Sequence, residues 1–183
     1  PDDRSAGTLD FRLDDRRVQA GEVFTVPFRA AGPVLGWQFT LQPEGLEVLD
    51  ISPGEGLDHS NFAVFEDAVT AAAENGAEAF AITFRAQRAG RLSAMLGVSS
   101  RITRAEAYSP AGERLDVALR FGSPEGTTVS GVGFELYQNR PNPFHDKTLI
   151  GFHLPEDSEA TLSVMDETGR LLYTLPGVYS RGY

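Results

Sequence analysis

Ser109-Pro110-Ala111-Gly112-Glu113-Arg114-Leu115-Asp116-Val117-Ala118-Leu119-Arg120-Phe121 is the stretch that decides the fold class. Proline at the second turn position pre-sets φ for a type I turn, and glycine suits the fourth. Leu115, Val117, Leu119 and Phe121 then recur at every second residue, a period that places them on one face of a strand. Residues 101–121 therefore predict a β-hairpin.

The same period runs outward from it. Trp37, Phe39 and Leu41 share one strand face, and Phe80, Ile82 and Phe84 share another. Val23-Phe24-Thr25-Val26-Pro27-Phe28 follows the breaker Ala20-Gly21, and Leu46-Glu47-Val48-Leu49-Asp50-Ile51 ends at Pro53-Gly54. The alanines between Val69 and Glu74 favour helix by propensity. The run is short, however, and lies between strand-like segments, so it reads as strand. Residues 8–121 then hold about nine strands, the spacing of an all-β sandwich.

Gly122-Ser123-Pro124-Glu125-Gly126-Thr127-Thr128 lacks large apolar residues and reads as a linker. The expected division is a first module at 1–121, a linker at 122–133 and a second module at 134–183. In the second module alternation resumes at 134–137, 148–154, 160–166 and 171–174, with a turn at Asp166-Glu167-Thr168-Gly169.

The chain has 183 residues, 41% of them hydrophobic, and 12 are Phe, enough apolar surface for a core. Its net charge of -10 argues against nucleic acid and against docking on an anionic leaflet. With no cysteine it has no disulfide, thiolate metal site or cysteine nucleophile. It begins at Pro1 with no Met before Met95, which reads as a processed product or an excised segment. No apolar run approaches the roughly 18 residues of a membrane-spanning helix, so direct membrane insertion is not expected.

The first module resembles a cohesin-type domain. The residues that carry the likeness are Gly21-Glu22-Val23-Phe24-Thr25-Val26-Pro27-Phe28, Leu35-Gly36-Trp37-Gln38-Phe39-Thr40-Leu41, Leu46-Glu47-Val48-Leu49-Asp50-Ile51-Ser52-Pro53-Gly54 and Phe80-Ala81-Ile82-Thr83-Phe84-Arg85-Ala86. The resemblance implies a nine-stranded jelly-roll β-sandwich, acting as a structural or adhesive spacer or binding a dockerin-like partner or a carbohydrate.

The second module resembles the C-terminal sorting domain of type IX secretion substrates from Bacteroidetes and their relatives. The opening motif is Leu136-Tyr137-Gln138-Asn139-Arg140-Pro141-Asn142-Pro143-Phe144, continued by Thr148-Leu149-Ile150-Gly151-Phe152-His153-Leu154-Pro155, Ala160-Thr161-Leu162-Ser163-Val164-Met165-Asp166 and Thr168-Gly169-Arg170. Family members commonly have Tyr in place of Arg140, Asn or Ser in place of His145, and often Tyr in place of Met165. The resemblance makes Leu136, Tyr137, Gln138, Asn139, Pro141, Asn142, Pro143, Phe144, Gly169 and Arg170 the sorting residues. Their implied partners are the outer-membrane translocon, its shuttle and a sortase-like protease. The implied destination is the cell surface or the medium, across the outer membrane, with the cargo attached to surface lipopolysaccharide or released.

The motif also has a physical reading of its own. Prolines on both sides of Asn142 remove backbone donors and fix φ, forcing an extended crossing between strands, which Phe144 is expected to anchor in a core. Residues 134–183 supply about four strands where an immunoglobulin-like sandwich uses roughly seven. The expectation is therefore an incomplete immunoglobulin-like sandwich, with Leu149, Phe152, Leu154, Leu162 and Val164 lining a half-open inner face. Missing C-terminal residues or another chain would complete it.

No catalytic constellation is legible. His59 lies in a loop beside Asp58 without a second His at metal-ligand spacing, and His145 and His153 are expected at exposed positions. The pairs Asp2-Asp3, Asp14-Asp15, Glu66-Asp67 and Glu156-Asp157 read as solvated turns rather than a glycosidase dyad. Asp14-Asp15 and the loop from Asp58 to Asn61 carry oxygen donors that suit calcium, although no Asp-x-Asp-x-Asp-Gly loop is present. Trp37 would stack on a sugar if exposed, but its alternation with Phe39 and Leu41 favours the core. The chain is thus expected to be non-catalytic, without metal or cofactor. An enzyme upstream of Pro1 is compatible with this reading, the chain then being its accessory tail.

Overall fold

The computed structural model describes residues 5–179, which fall into two compact units divided between Gly133 and Phe134. The first unit contains β1 (Thr8–Asp14), β2 (Arg17–Val18), β3 (Val23–Ala30), β4 (Gly36–Pro43), β5 (Leu46–Pro53), β6 (Phe62–Val64), β7 (Val69–Ala73), β8 (Ala79–Ala86), β9 (Gly90–Arg91), β10 (Leu96–Ser99), β11 (Glu106–Tyr108), β12 (Arg114–Ser123) and β13 (Gly126–Gly131). Its only helical pieces are single 3-10 turns at His59–Asn61 and Leu92–Ala94.

Two layers pack face to face. The first has the order β5-β8-β3-β1-β12, with β13 outside β12; the second runs β11-β4-β7-β6, with β10 also on β4. The chain passes back and forth between the layers, and β12 joins them. Its start pairs with β11, and Asp116 to Gly122 pair with β1 in the unit's one parallel ladder.

The core is built from the alternating faces. Trp37, Phe39, Leu41, Phe80, Ile82 and Phe84 are all buried, and rings meet across the layers, Phe11 with Trp37 at 5.1 Å and Phe80 with Trp37 at 5.5 Å. The alanine run is strand β7, with Val69, Ala71 and Ala73 inward and β4 and β6 on either side. Sheet pairing overrides the helix propensity of alanine there. The turn at Ser109 closes as read, Gly112 donating to the Ser109 carbonyl at 2.8 Å with φ of +79°.

Residues 122–133 are not a free linker. β12 extends through Ser123, and β13 folds back on it from Ala118↔Gly131 to Ser123↔Gly126. β13 is an edge strand that faces water almost throughout. It therefore needs no apolar alternation, which is why its composition resembled a linker.

The second unit holds β14 (Glu135–Leu136), β15 (Phe152–His153), β16 (Ser158–Met165) and β17 (Leu171–Tyr179). Among the described residues β14 pairs with β15 alone, and β16 with β17 alone. The two ladders meet through the rings of Phe152 and Tyr179, 5.1 Å apart. Leu154 is buried, but Leu149 is 73% and Phe144 51% exposed. Among the described residues Phe144 is therefore half exposed rather than anchored in a core as expected. His153 is buried rather than exposed, since it sits in β15 as the register partner of Glu135.

Candidate functional site

The motif residues of the second unit are organised by hydrogen bonds around an exposed loop. Arg140 and Leu149 exchange both backbone bonds, at 2.9 and 2.8 Å. Just inside that bridge, Asn139 Nδ2 donates to Thr148 Oγ1 at 2.9 Å and to the Pro141 carbonyl at 3.2 Å, and Thr148 Oγ1 donates to the same carbonyl at 2.9 Å. Asparagine suits the position because one side-chain amide supplies both donors that proline, lacking N–H, cannot. The loop thus closed presents Pro141, Asn142, Pro143 and Phe144 to solvent. Leu136 is exposed, while Tyr137 donates from its hydroxyl to Glu135 at 2.6 Å. Gln138 Nε2 donates to the Asn139 side-chain oxygen at 3.5 Å.

Gly169 and Arg170 lie in the turn between β16 and β17. Asp166 Oδ1 accepts from the Thr168 backbone and hydroxyl and from the Arg170 backbone, and Oδ2 accepts from Arg170 Nε at 3.1 Å. Gly169 has φ of +83°, where a side chain would be strained. The Thr-Gly-Arg signature therefore has a local structural job, organised by Asp166. The sequence predicts a turn at Asp166, and Thr148 stands in the motif's continuation, but neither is counted among the sorting residues, although Asp at a turn's first position is a recognisable signal.

These bonds, chiefly the Thr168 hydroxyl and then the Arg170 N–H, hold the Asp166 carboxyl below the usual aspartate range. A carboxyl depressed in the folded state stabilises the turn above that range and loses the contribution as pH falls through its lowered value. NMR titration should show the Thr168 and Arg170 amide signals moving only below the usual aspartate range, and Asp166→Asn should abolish the movement. Midpoints at an ordinary aspartate value would contradict this geometry.

In the first unit the candidate chemical residues are engaged structurally. Asp58 caps the turn at His59–Asn61, accepting from the Ser60 N–H at 2.7 Å, while Asn61 Oδ1 accepts from the Asp58 N–H at 2.8 Å. Asp15 accepts from the Ser93 backbone and hydroxyl and from Arg91, which also reaches Glu125. Among the described residues no three His, Asp or Glu side chains are grouped to hold a metal. Trp37 is buried and donates from Nε1 to the Ala77 carbonyl at 2.7 Å, which removes it from sugar stacking.

The outer face of the second layer carries mostly small and amide side chains, with Glu106 on β11 accepting from Gln38 Nε2 at 3.1 Å and paired with Arg104 at 3.6 Å. Gln38, Gln42, Ala63, Thr70, Ala72 and Gly97 alternate with the inward residues of β4, β6, β7 and β10. A side chain added at Gly97 would meet open space. Thr40 is fully covered because residues 102 and 103 close over it, Thr40 Oγ1 accepting from the Thr103 N–H at 2.9 Å and donating to its carbonyl at 3.1 Å.

No family model and no curated protein matches this sequence. Among solved structures the chain is similar to cohesins. One is the OlpA cohesin of a type I cohesin–dockerin complex from Clostridium thermocellum, at 8% identity and a TM-score of 0.47 over 69% of this chain and 99% of that one. Another is the sixth cohesin of Acetivibrio cellulolyticus scaffoldin B, solved with a Cel5 dockerin, at 13% identity and a TM-score of 0.46 over 70% and 99%. A non-cellulosomal cohesin from Archaeoglobus fulgidus has 16% identity and a TM-score of 0.33 over 70% and 87%.

Proposed function

We propose that this chain is a non-catalytic part of a secreted or surface protein, a β-sandwich spacer followed by a segment that directs export through the type IX outer-membrane machinery. The observation that carries the reading is the loop held by Asn139 and Thr148. It leaves the Pro-Asn-Pro-Phe residues outside any core, with Phe144 half exposed. Packing does not require an aromatic there, so its presence fits a surface that is read by a partner, and the sequence resembles the signal the type IX translocon and shuttle read. The full chain fused behind a secreted reporter should reach the surface of a bacterium with this pathway and accumulate in the periplasm when the translocon is deleted. Export that survives removal of residues 134–183 refutes the reading.

A second reading makes the sandwich a binding module for a dockerin-like protein. The face of Gln38, Thr70 and Ala72 favours it, because small and amide side chains are more cheaply desolvated than the acidic surface expected of a chain with a net charge of -10. A type I dockerin is a suitable probe. Binding lost in Ala72→Arg would assign the face, and no binding would leave the spacer role.

A further inference from the structure

Arg29, Arg12 and Arg120 stand in register on the adjacent strands β3, β1 and β12. Phe28, Phe11, Leu13, Leu119 and Phe121 beside them are buried, so by strand alternation all three arginines leave on the solvent side of the first layer. Neighbouring strands lie about 4.8 Å apart, which makes the row about 10 Å wide. Like charges directly opposite one another destabilise a strand pair. Elsewhere this face is matched, Arg85 with Glu47 at 3.0 Å and Thr25 with Thr83 at 2.8 Å. In the row Asp10 holds Arg120 at 2.8 Å, while Arg12 and Arg29 have no ion-pair partner among the described residues. A groove runs over the row, lined also by Asp14, Pro27 and Thr127.

We propose that this groove binds a carboxylated saccharide, an acidic glycan carrying hydroxyls beside its carboxylates. Guanidinium forks match carboxylates two bonds at a time, and a ligand carboxylate relieves the repulsion between Arg12 and Arg29. Asp14 repels a carboxylate placed directly beside it, which favours a ligand whose carboxylates are separated by hydroxyl-bearing rings. Asp14 accepts from hydroxyls instead, and Thr127 serves them as donor or acceptor. An acidic peptide offers carboxylates without that density of hydroxyls. The ring of Pro27 supplies an apolar floor for a sugar's carbon face.

The test is calorimetric titration of the full chain with an oligogalacturonate, its methyl ester and poly-glutamate, at low and high salt. The oligogalacturonate should bind, more weakly in high salt, and esterification should abolish binding. Arg12→Ser and Arg29→Ser should each weaken it about tenfold, and Arg85→Gln on the same face should leave it unchanged. Without ligand, Arg12→Ser should melt no lower than the parent, because it removes a repulsion. No binding, binding indifferent to Arg12 and Arg29, or equal binding of poly-glutamate overturns the proposal, the last assigning the row to acidic peptides.

Discussion

Phe80→Ala is expected to cost the sandwich about 3–5 kcal/mol, the range for removing a fully packed phenylalanine. The Phe80 ring stacks on Phe28 at 4.7 Å within its own layer and lies 6.1 Å from Phe11. It also meets Trp37 at 5.5 Å, Phe62 at 5.2 Å and Phe39 at 6.5 Å in the opposite layer. One ring is thus a common neighbour of five others, and its loss opens a cavity at the joint between the sheets that surrounding rings fill only in part. Urea denaturation of the full chain should show the midpoint falling steeply. Val23→Ala, at a position 54% exposed on β3, should stay within about 0.5 kcal/mol of the parent. A loss below about 1 kcal/mol for Phe80→Ala would mean that the ring is not the joint.

The core of the first unit was legible because inward faces follow from a period of two within single strands. The trios of Trp37 and Phe80 and the hairpin at Ser109 needed no knowledge of partners. Leu46 and Ile51 are both buried five positions apart, which strict alternation forbids. A bulge between Val48 and Asp50 shifts the register and turns Leu49 outward, and such an irregularity has no local signature in this stretch. The parallel pairing of β1 with β12 joins residues more than a hundred apart, so the arginine row was invisible, since each arginine alone is an ordinary outward strand residue. In the second unit the turn at Asp166 was readable from its residues, and it closes with the Gly169 N–H donating to the Asp166 carbonyl at 2.9 Å. The bonds that shape the Pro-Asn-Pro-Phe loop depend on Thr148 meeting Asn139 across it, a contact set by folding rather than by spacing. The strand β13 was missed for a different reason: its polar composition is what a solvated edge selects, and only Thr127-Thr128-Val129, a β-branched run, hinted at it.

That edge strand sets the last expectation, a difference between two truncations. A chain ending at residue 133 should unfold in one cooperative transition, whereas one ending at residue 121 should be less stable by on the order of 3 kcal/mol. The shorter chain loses the pairing of β13 along β12 from Ala118 to Ser123, and Val132, which packs against the core. It also loses the Gly122 carbonyl that accepts from the Asp15 N–H at 2.7 Å and the Glu125 carboxylate that holds Arg91 at 2.6 Å. Asp15 and Arg91 would remain paired with each other at 3.2 Å, so the damage should be graded rather than a collapse. Deleting β13 also bares the edge of β12 beside the buried Ala118 and Leu119, and an uncovered edge of that kind pairs with other copies. The shorter chain should therefore show both a lower urea midpoint and concentration-dependent association by analytical ultracentrifugation. Equal midpoints for the two truncations would show that residues 122–133 contribute nothing to the sandwich and that the linker reading had been right.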